Sequence, residues 1–178
     1  MEWTEHAPAD GAAIGEARLP QATIGAIIGD RTVMVNELSA VVEELGGKAA
    51  LGRAPTTEAE LRSAIRAGFP RQVVDSVMDS AGLTLKDLSL SLNLSPRSLQ
   101  RRGRQGRLAR HESDRVYRLA RIVALARHYI GDKDGASRWL KRPNRALGGS
   151  PPLELMDTEA GARAVENVLG RIAYGGIS

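Results

Sequence analysis

The sequence predicts an all-α fold, and two observations carry that prediction. Apolar residues recur three and four apart in successive stretches from Val33 to Ile172, the spacing that gathers them on one face of a helix. Between those stretches stand residues that start and stop helices. Thr57, Thr84, Ser95-Pro96 and Asp157-Thr158 are starts, and Gly46-Gly47, Gly68, Gly82 and Gly175-Gly176 are stops.

Residues 1–30 are rich in Ala, Gly and Pro with no sustained period, and are expected to form a flexible N-terminal arm. Val35, Leu38, Val41, Val42 and Leu45 predict the first helix, and a short one follows through Ala49, Ala50 and Leu51. Thr56-Thr57 ahead of Leu61 and Ile65 predicts a capped helix ending at Gly68. Pro70 is placed in the first turn of the next, whose stripe is Val73, Val74, Val77 and Met78. Further on, a long helix runs from about Glu112 to Ile130 on Val116, Leu119, Ile122, Val123 and Ala126, with Glu112 and Asp114 favourable to the dipole in its first turn. A helix from Asp132 to Leu140 bears Trp139. A loop over residues 144–152, one turn at Leu153–Met156 and a last helix from Asp157-Thr158 complete the order.

The most structured signal lies at residues 84–103. Thr84 with Asp87 three residues on is a capping box, and Leu85, Leu88 and Leu92 form the stripe of a short helix. Asn93 stands in the turn, where a left-handed backbone is wanted. Ser95-Pro96 then starts a second helix, and two short helices so closely joined have helix-turn-helix geometry. Ser89 is small where the two must approach, while Leu94 and Leu99 would pack the second on the first. At about 100° per residue, Arg97, Ser98, Arg101 and Arg102 share the arc opposite Leu99, with Gln100 on its rim.

Such an arc suits a recognition helix. Arginine pairs with guanine or with phosphate, and Ser95, Ser98 and Gln100 supply further bonds. Arg104, Arg107 and Arg110 follow in a Gly-containing loop and are assigned to phosphates or to links with the next helix. The alternative is a helical hairpin with a solvated arginine face.

Charge divided along the chain points the same way. The net charge of +4 is made of −4 over residues 1–55, −1 over 56–96, +8 over 97–128 and +1 over 129–178. One arginine-rich segment therefore attracts a polyanion, rather than the whole surface. Six aromatics in all argue against base-stacking readers of single strands and leave duplex DNA as the expected nucleic acid.

Composition excludes much else. With no cysteine there is no disulfide framework, zinc finger or thiol nucleophile, and three scattered histidines, His6, His111 and His128, make a metal site unexpected. No glycine-rich phosphate loop and no spaced nucleophile and base are found, so neither catalytic residue nor cofactor is assigned. No apolar run approaches the ~20 residues of a membrane helix. A cytoplasmic protein is expected.

Two segments, LSPRSLQRRGRQGRLARHESDRVYRLARIVALA and GASRWLKRPNRALGGSPPLELMDTEAGARAVENVLGRI, resemble the Xre/ParS/MbcA-type antitoxins of bacterial type II toxin–antitoxin pairs. The likeness covers about residues 60–175, and its second segment is the more specific. It implies an Xre-like helix-turn-helix domain followed by a small helical toxin-binding domain, divided as a DNA-binding and dimerisation domain over 31–130 and a toxin-binding domain over 131–178. It further implies a homodimer that binds operator duplex DNA and blocks a cognate NAD-degrading RES-domain toxin or an ADP-ribosyltransferase. The toxin-binding surface carries over to Trp139, Arg142, Asn144, Arg145, Leu147, Gly148 and Gly149, with Arg171 and Tyr174 as further candidates. A loop with Pro143, Asn144 and two glycines can approach another protein's cleft closely, and an arginine can enter a phosphate-shaped pocket. Trp139 and Leu147 also suit a core. The alternative function is a helix-turn-helix regulator without a toxin.

Overall fold

The computed structural model describes residues 31–93, 95, 97 and 106–173. Among them lie eight helices: α1 Arg31–Glu44, α2 Gly47–Leu51, α3 Glu58–Ala67, α4 Gln72–Ala81, α5 Leu85–Leu92, α6 Arg110–Ile130, α7 Lys133–Lys141 and α8 Glu159–Ala173. Two 3₁₀ turns, Arg145–Leu147 and Pro152–Asp157, precede α8. No strand is found among the described residues, apart from a single bridge between Pro70 and Arg107. The expected N-terminal arm, and most of the expected second helix of the helix-turn-helix with Leu94 and Leu99, lie outside them.

Helix starts follow side-chain chemistry. The Thr57 hydroxyl accepts from the Glu60 N–H at 3.2 Å, the Asp132 carboxylate from the Gly135 N–H at 2.6 Å, and the Thr158 hydroxyl from the Gly161 N–H at 3.1 Å. Each satisfies a first-turn donor that the helix cannot pair internally.

Two placements differ from the sequence reading. Pro70 does not enter α4; it bridges to Arg107, and α4 begins at Gln72. The Phe69 and Arg71 backbones bond the returning segment there, with the Arg71 N–H donating to the Gly106 carbonyl at 2.8 Å and the Leu108 N–H to the Phe69 carbonyl at 2.8 Å. Arg110 belongs to α6 rather than to the loop before it, because the Glu112 carboxylate accepts the Ala109 N–H at 2.6 Å and closes the helix start two residues earlier.

From Met34 onward the chain forms one compact unit. α6 runs through its middle and packs on α3, α4, α5, α7, α8 and the second 3₁₀ turn. Leu45, Leu61, Phe69, Leu88, Leu92, Leu119, Ile122, Leu140, Met156 and Leu169 are fully buried in one continuous core. Each such side chain contributes about 1.5–3 kcal/mol of burial.

α8 lies hard against the second 3₁₀ turn: a Cβ at Gly161 would fall on the Leu155 carbonyl oxygen, so only glycine permits the approach. No helix among the described residues is long and apolar enough to cross a membrane.

Candidate functional site

α5 is held at both ends. At its start the Thr84 N–H donates to the Asp87 carboxylate at 2.9 Å and the Asp87 N–H to the Thr84 hydroxyl at 3.2 Å, the reciprocal pair expected from sequence. Lys141 of α7 reaches the same end, donating to the Gly82 carbonyl at 2.7 Å and standing 3.5 Å from the Asp87 carboxylate. At the other end Arg115 of α6 donates to the Leu92 carbonyl at 3.1 Å, where a helix leaves carbonyls unpaired. Asn93 closes α5 in the left-handed conformation, φ 49° and ψ 45°. Arg115 and Lys141 orient α5, the helix expected from sequence to open the helix-turn-helix, and sequence reasoning assigned neither that task; a cation's carbonyl partner 23 or 59 residues away leaves no local signal.

Burial pushes the Asp87 carboxyl up, but the Thr84 backbone and hydroxyl and Lys141 outweigh it and hold the group below its ordinary 3.8. A carboxyl depressed in the fold stabilises fully above its unfolded value and loses that contribution as pH falls through its folded value. The destabilisation caused by Asp87→Asn is therefore expected to shrink as urea titrations move from neutral pH to below about pH 4. A difference constant across that range would contradict the assignment.

The arginine-rich segment divides into two groups. Arg118 pairs with Asp114 at 2.9 Å and with Glu159 at 3.1 Å, Arg121 pairs with Glu166, and Arg127 pairs with the buried Glu44 at 2.7 Å. Together with Arg115 these guanidiniums hold the fold. Arg97, Arg107 and Arg110 are exposed and make no ion pair among the described residues. Arg107 lies in the return segment, its Nε donating to the Ala67 carbonyl at 3.3 Å.

Of the other candidates for DNA, Ser95 is exposed beside Arg97, a helical residue, while Ser98, Gln100, Arg101, Arg102 and Arg104 lie outside the described residues. Ser89 is half-buried, and its enclosed hydroxyl has no hydrogen-bond partner among the described residues.

The second surface is the turn after α7. The Asn144 side chain accepts the Ala146 N–H at 2.9 Å, the Asn144 N–H donates to the Ser150 carbonyl at 3.2 Å, and the Gly149 N–H donates to the Asn144 carbonyl at 2.9 Å. The loop is thus locked by its own backbone. Gly148 and Gly149 sit at φ 69° and 88° with open space around them, so backbone conformation rather than crowding calls for glycine. Arg142 and Arg145 are exposed on this turn, and Arg171 is exposed on α8. Trp139 and Leu147 are half-buried and packed on the core. Tyr174 lies outside the described residues.

The two surfaces fall in separately recognised parts of the chain. Residues 60–121 match the family described as the antitoxin Xre-like helix-turn-helix domain. Residues 125–175 match the antitoxin Xre/MbcA/ParS C-terminal toxin-binding domain. An Antitoxin Xre of Photorhabdus laumondii is 35% identical over 120 residues, covering 66% of this chain and 81% of that protein. An Antitoxin Xre of Yersinia enterocolitica is 33% identical over 117 residues, 65% of this chain and 79% of that protein. A Prs ADP-ribosylating antitoxin of a Sphingobium species is 32% identical over 95 residues, 48% of this chain and 60% of that protein. The chain belongs to the Xre/MbcA/ParS antitoxin family and is the antitoxin of a toxin–antitoxin system, with an Xre-like helix-turn-helix domain followed by a toxin-binding domain.

Proposed function

We propose that this antitoxin neutralises an NAD-consuming toxin, either a RES-domain enzyme or an ADP-ribosyltransferase, by covering its active site with the Arg142–Ser150 turn. The observation that carries this reading is the turn itself: a backbone-locked loop, bare of side chains at Gly148-Gly149, that presents two exposed arginines inside the segment matching the toxin-binding family. A preformed loop spares the ordering entropy of docking, and an arginine fork fits the phosphates of a dinucleotide site. The name of the Sphingobium relative, an ADP-ribosylating antitoxin, is compatible with such a toxin. The antitoxin acts by occlusion in the cytoplasm and performs no catalysis of its own.

The helix-turn-helix, presented by a homodimer, binds operator duplex DNA through Ser95, Arg97, Ser98, Gln100, Arg101 and Arg102 at bases and neighbouring phosphates. Arg104 and Arg107 contact the backbone, and the operon is thereby repressed.

The experiment is co-expression with the protein encoded by the adjacent gene, followed by measurement of NAD loss with increasing antitoxin. The double charge reversal Arg142→Glu with Arg145→Glu is expected to weaken inhibition by roughly 100-fold or more, since buried interfacial arginines contribute about 2 kcal/mol or more each. Undiminished NAD consumption in a stable equimolar complex of the unaltered proteins would overturn the reading, as would full inhibition by the charge-reversed variant.

A further inference from the structure

A solvent-open cleft of about 660 Å³ lies between α3 and the start of α6, with Arg62, Ile65 and Arg66 on one wall and Arg110, His111 and Asp114 on the other. Its charge is one-sided. Arg62 and Arg66 are four apart on α3, so two like charges share one helix face, an arrangement unfavourable to the helix itself. Neither makes an ion pair among the described residues, although Glu58 stands four residues before Arg62. The lone acid of the lining, Asp114, has its carboxylate engaged by Arg118 at 2.9 Å. Arg110 and His111 occupy the first turn of α6, where the helix dipole favours acids instead. Arg107 adds a further cation, its guanidinium bonded to the Ala67 carbonyl directly after Arg66.

We propose that this cleft is a second phosphate-binding surface, and that its occupant is the sugar–phosphate backbone of duplex DNA flanking the bases read by the helix-turn-helix. Exposed arginines, two sharing one face of α3 and one in the first turn of α6 against its dipole, without carboxylate partners among the described residues, fit a strand of phosphates. Continuity with the arginine-rich segment selects DNA over an acidic protein. Arg110 of that segment lines the cleft itself, and the chain ahead of it bonds back at Phe69–Arg71, which sets Arg107 against the Ala67 carbonyl directly after Arg66. The inference rests on the DNA-binding reading above and extends its footprint to α3. Contacts of this kind fix the position of a protein on the duplex without reading sequence.

The test uses the full chain, a labelled duplex of about 30 bp from the DNA immediately upstream of its own gene, and a shuffled duplex of the same composition, over about 50 to 200 mM salt. The double variant R62A/R66A is expected to bind both duplexes about 10-fold more weakly at the low-salt end. The slope of log affinity against log salt should become shallower by roughly 2, at about 0.9 per phosphate released. R62K/R66K should retain most of the binding, because it keeps the charge. R97A/R101A serves as the contrast and should erase the preference for the upstream duplex.

Unchanged affinity and slope in R62A/R66A, with preference lost in R97A/R101A, overturns the cleft and leaves the helix-turn-helix reading standing. Failure of the unaltered protein to bind either duplex at the lowest salt overturns both. Loss of toxin inhibition in R62A/R66A with DNA binding intact assigns the cleft to a protein partner and overturns the proposal.

Discussion

Gly68→Ala is expected to lower the free energy of unfolding by about 2–5 kcal/mol, through backbone strain and overpacking acting together. Gly68 ends α3 at φ 81° and ψ 130°, a conformation that residues with a Cβ rarely adopt. A Cβ there would also collide with the Leu108 carbonyl oxygen. That carbonyl cannot swing away cheaply, because Leu108 is buried and its N–H donates to Phe69 at 2.8 Å. The Phe69 N–H in turn donates to the buried Ser113 hydroxyl at 2.8 Å. The segment leading into α6 is pinned at this point. Gly52→Ala is the comparison: Gly52 shares the positive φ, 79° with ψ −41°, and has nothing near its Cβ position, so it carries positive-φ strain without the collision. Urea unfolding should place Gly68→Ala well below Gly52→Ala. Equal losses in the two variants would refute the close-approach account.

Leu119→Ala is expected to destabilise by about 2–5 kcal/mol, as lost burial and a residual cavity add. Leu119 is completely buried in α6, which is packed on most of the other helices, so neighbours held from several sides have little room to collapse into the void. Ile172→Ala, at a residue 39% exposed near the end of α8, should stay within about 0.5 kcal/mol. Thermal melts of the two variants, followed by helix circular dichroism, make the comparison directly. A small loss for Leu119→Ala would mean that the core around α6 is looser than its packing indicates.

Local chemistry was readable from the sequence, because its partners lie within one turn. The Thr84–Asp87 box, the left-handed Asn93 and the caps at Thr57, Asp132 and Thr158 each involve residues no more than four apart, or a single backbone conformation. The buried stripes of α4, α6 and α8 follow from periodicity alone. What escaped depends on distant partners. The arginines of α6 carry the same letter as Arg97 and Arg107, yet Arg118 and Arg121 meet acids of α8 and Arg127 meets Glu44 of α1. Charge density alone cannot separate a guanidinium spent on the fold from one left to a ligand. Pro70 was misplaced for a related reason: its bridge is to Arg107, which local turn statistics do not register.

The placement of α6 has an evolutionary consequence. The two family matches end at residue 121 and begin at residue 125, so their junction falls inside one unbroken helix rather than in a linker. Recombination that exchanged one domain for a relative's would have to splice a helix in register and match apolar faces on several neighbours at once. New toxin specificities on this scaffold should therefore arise by substitution within the C-terminal toxin-binding domain, with the two domains inherited as a pair.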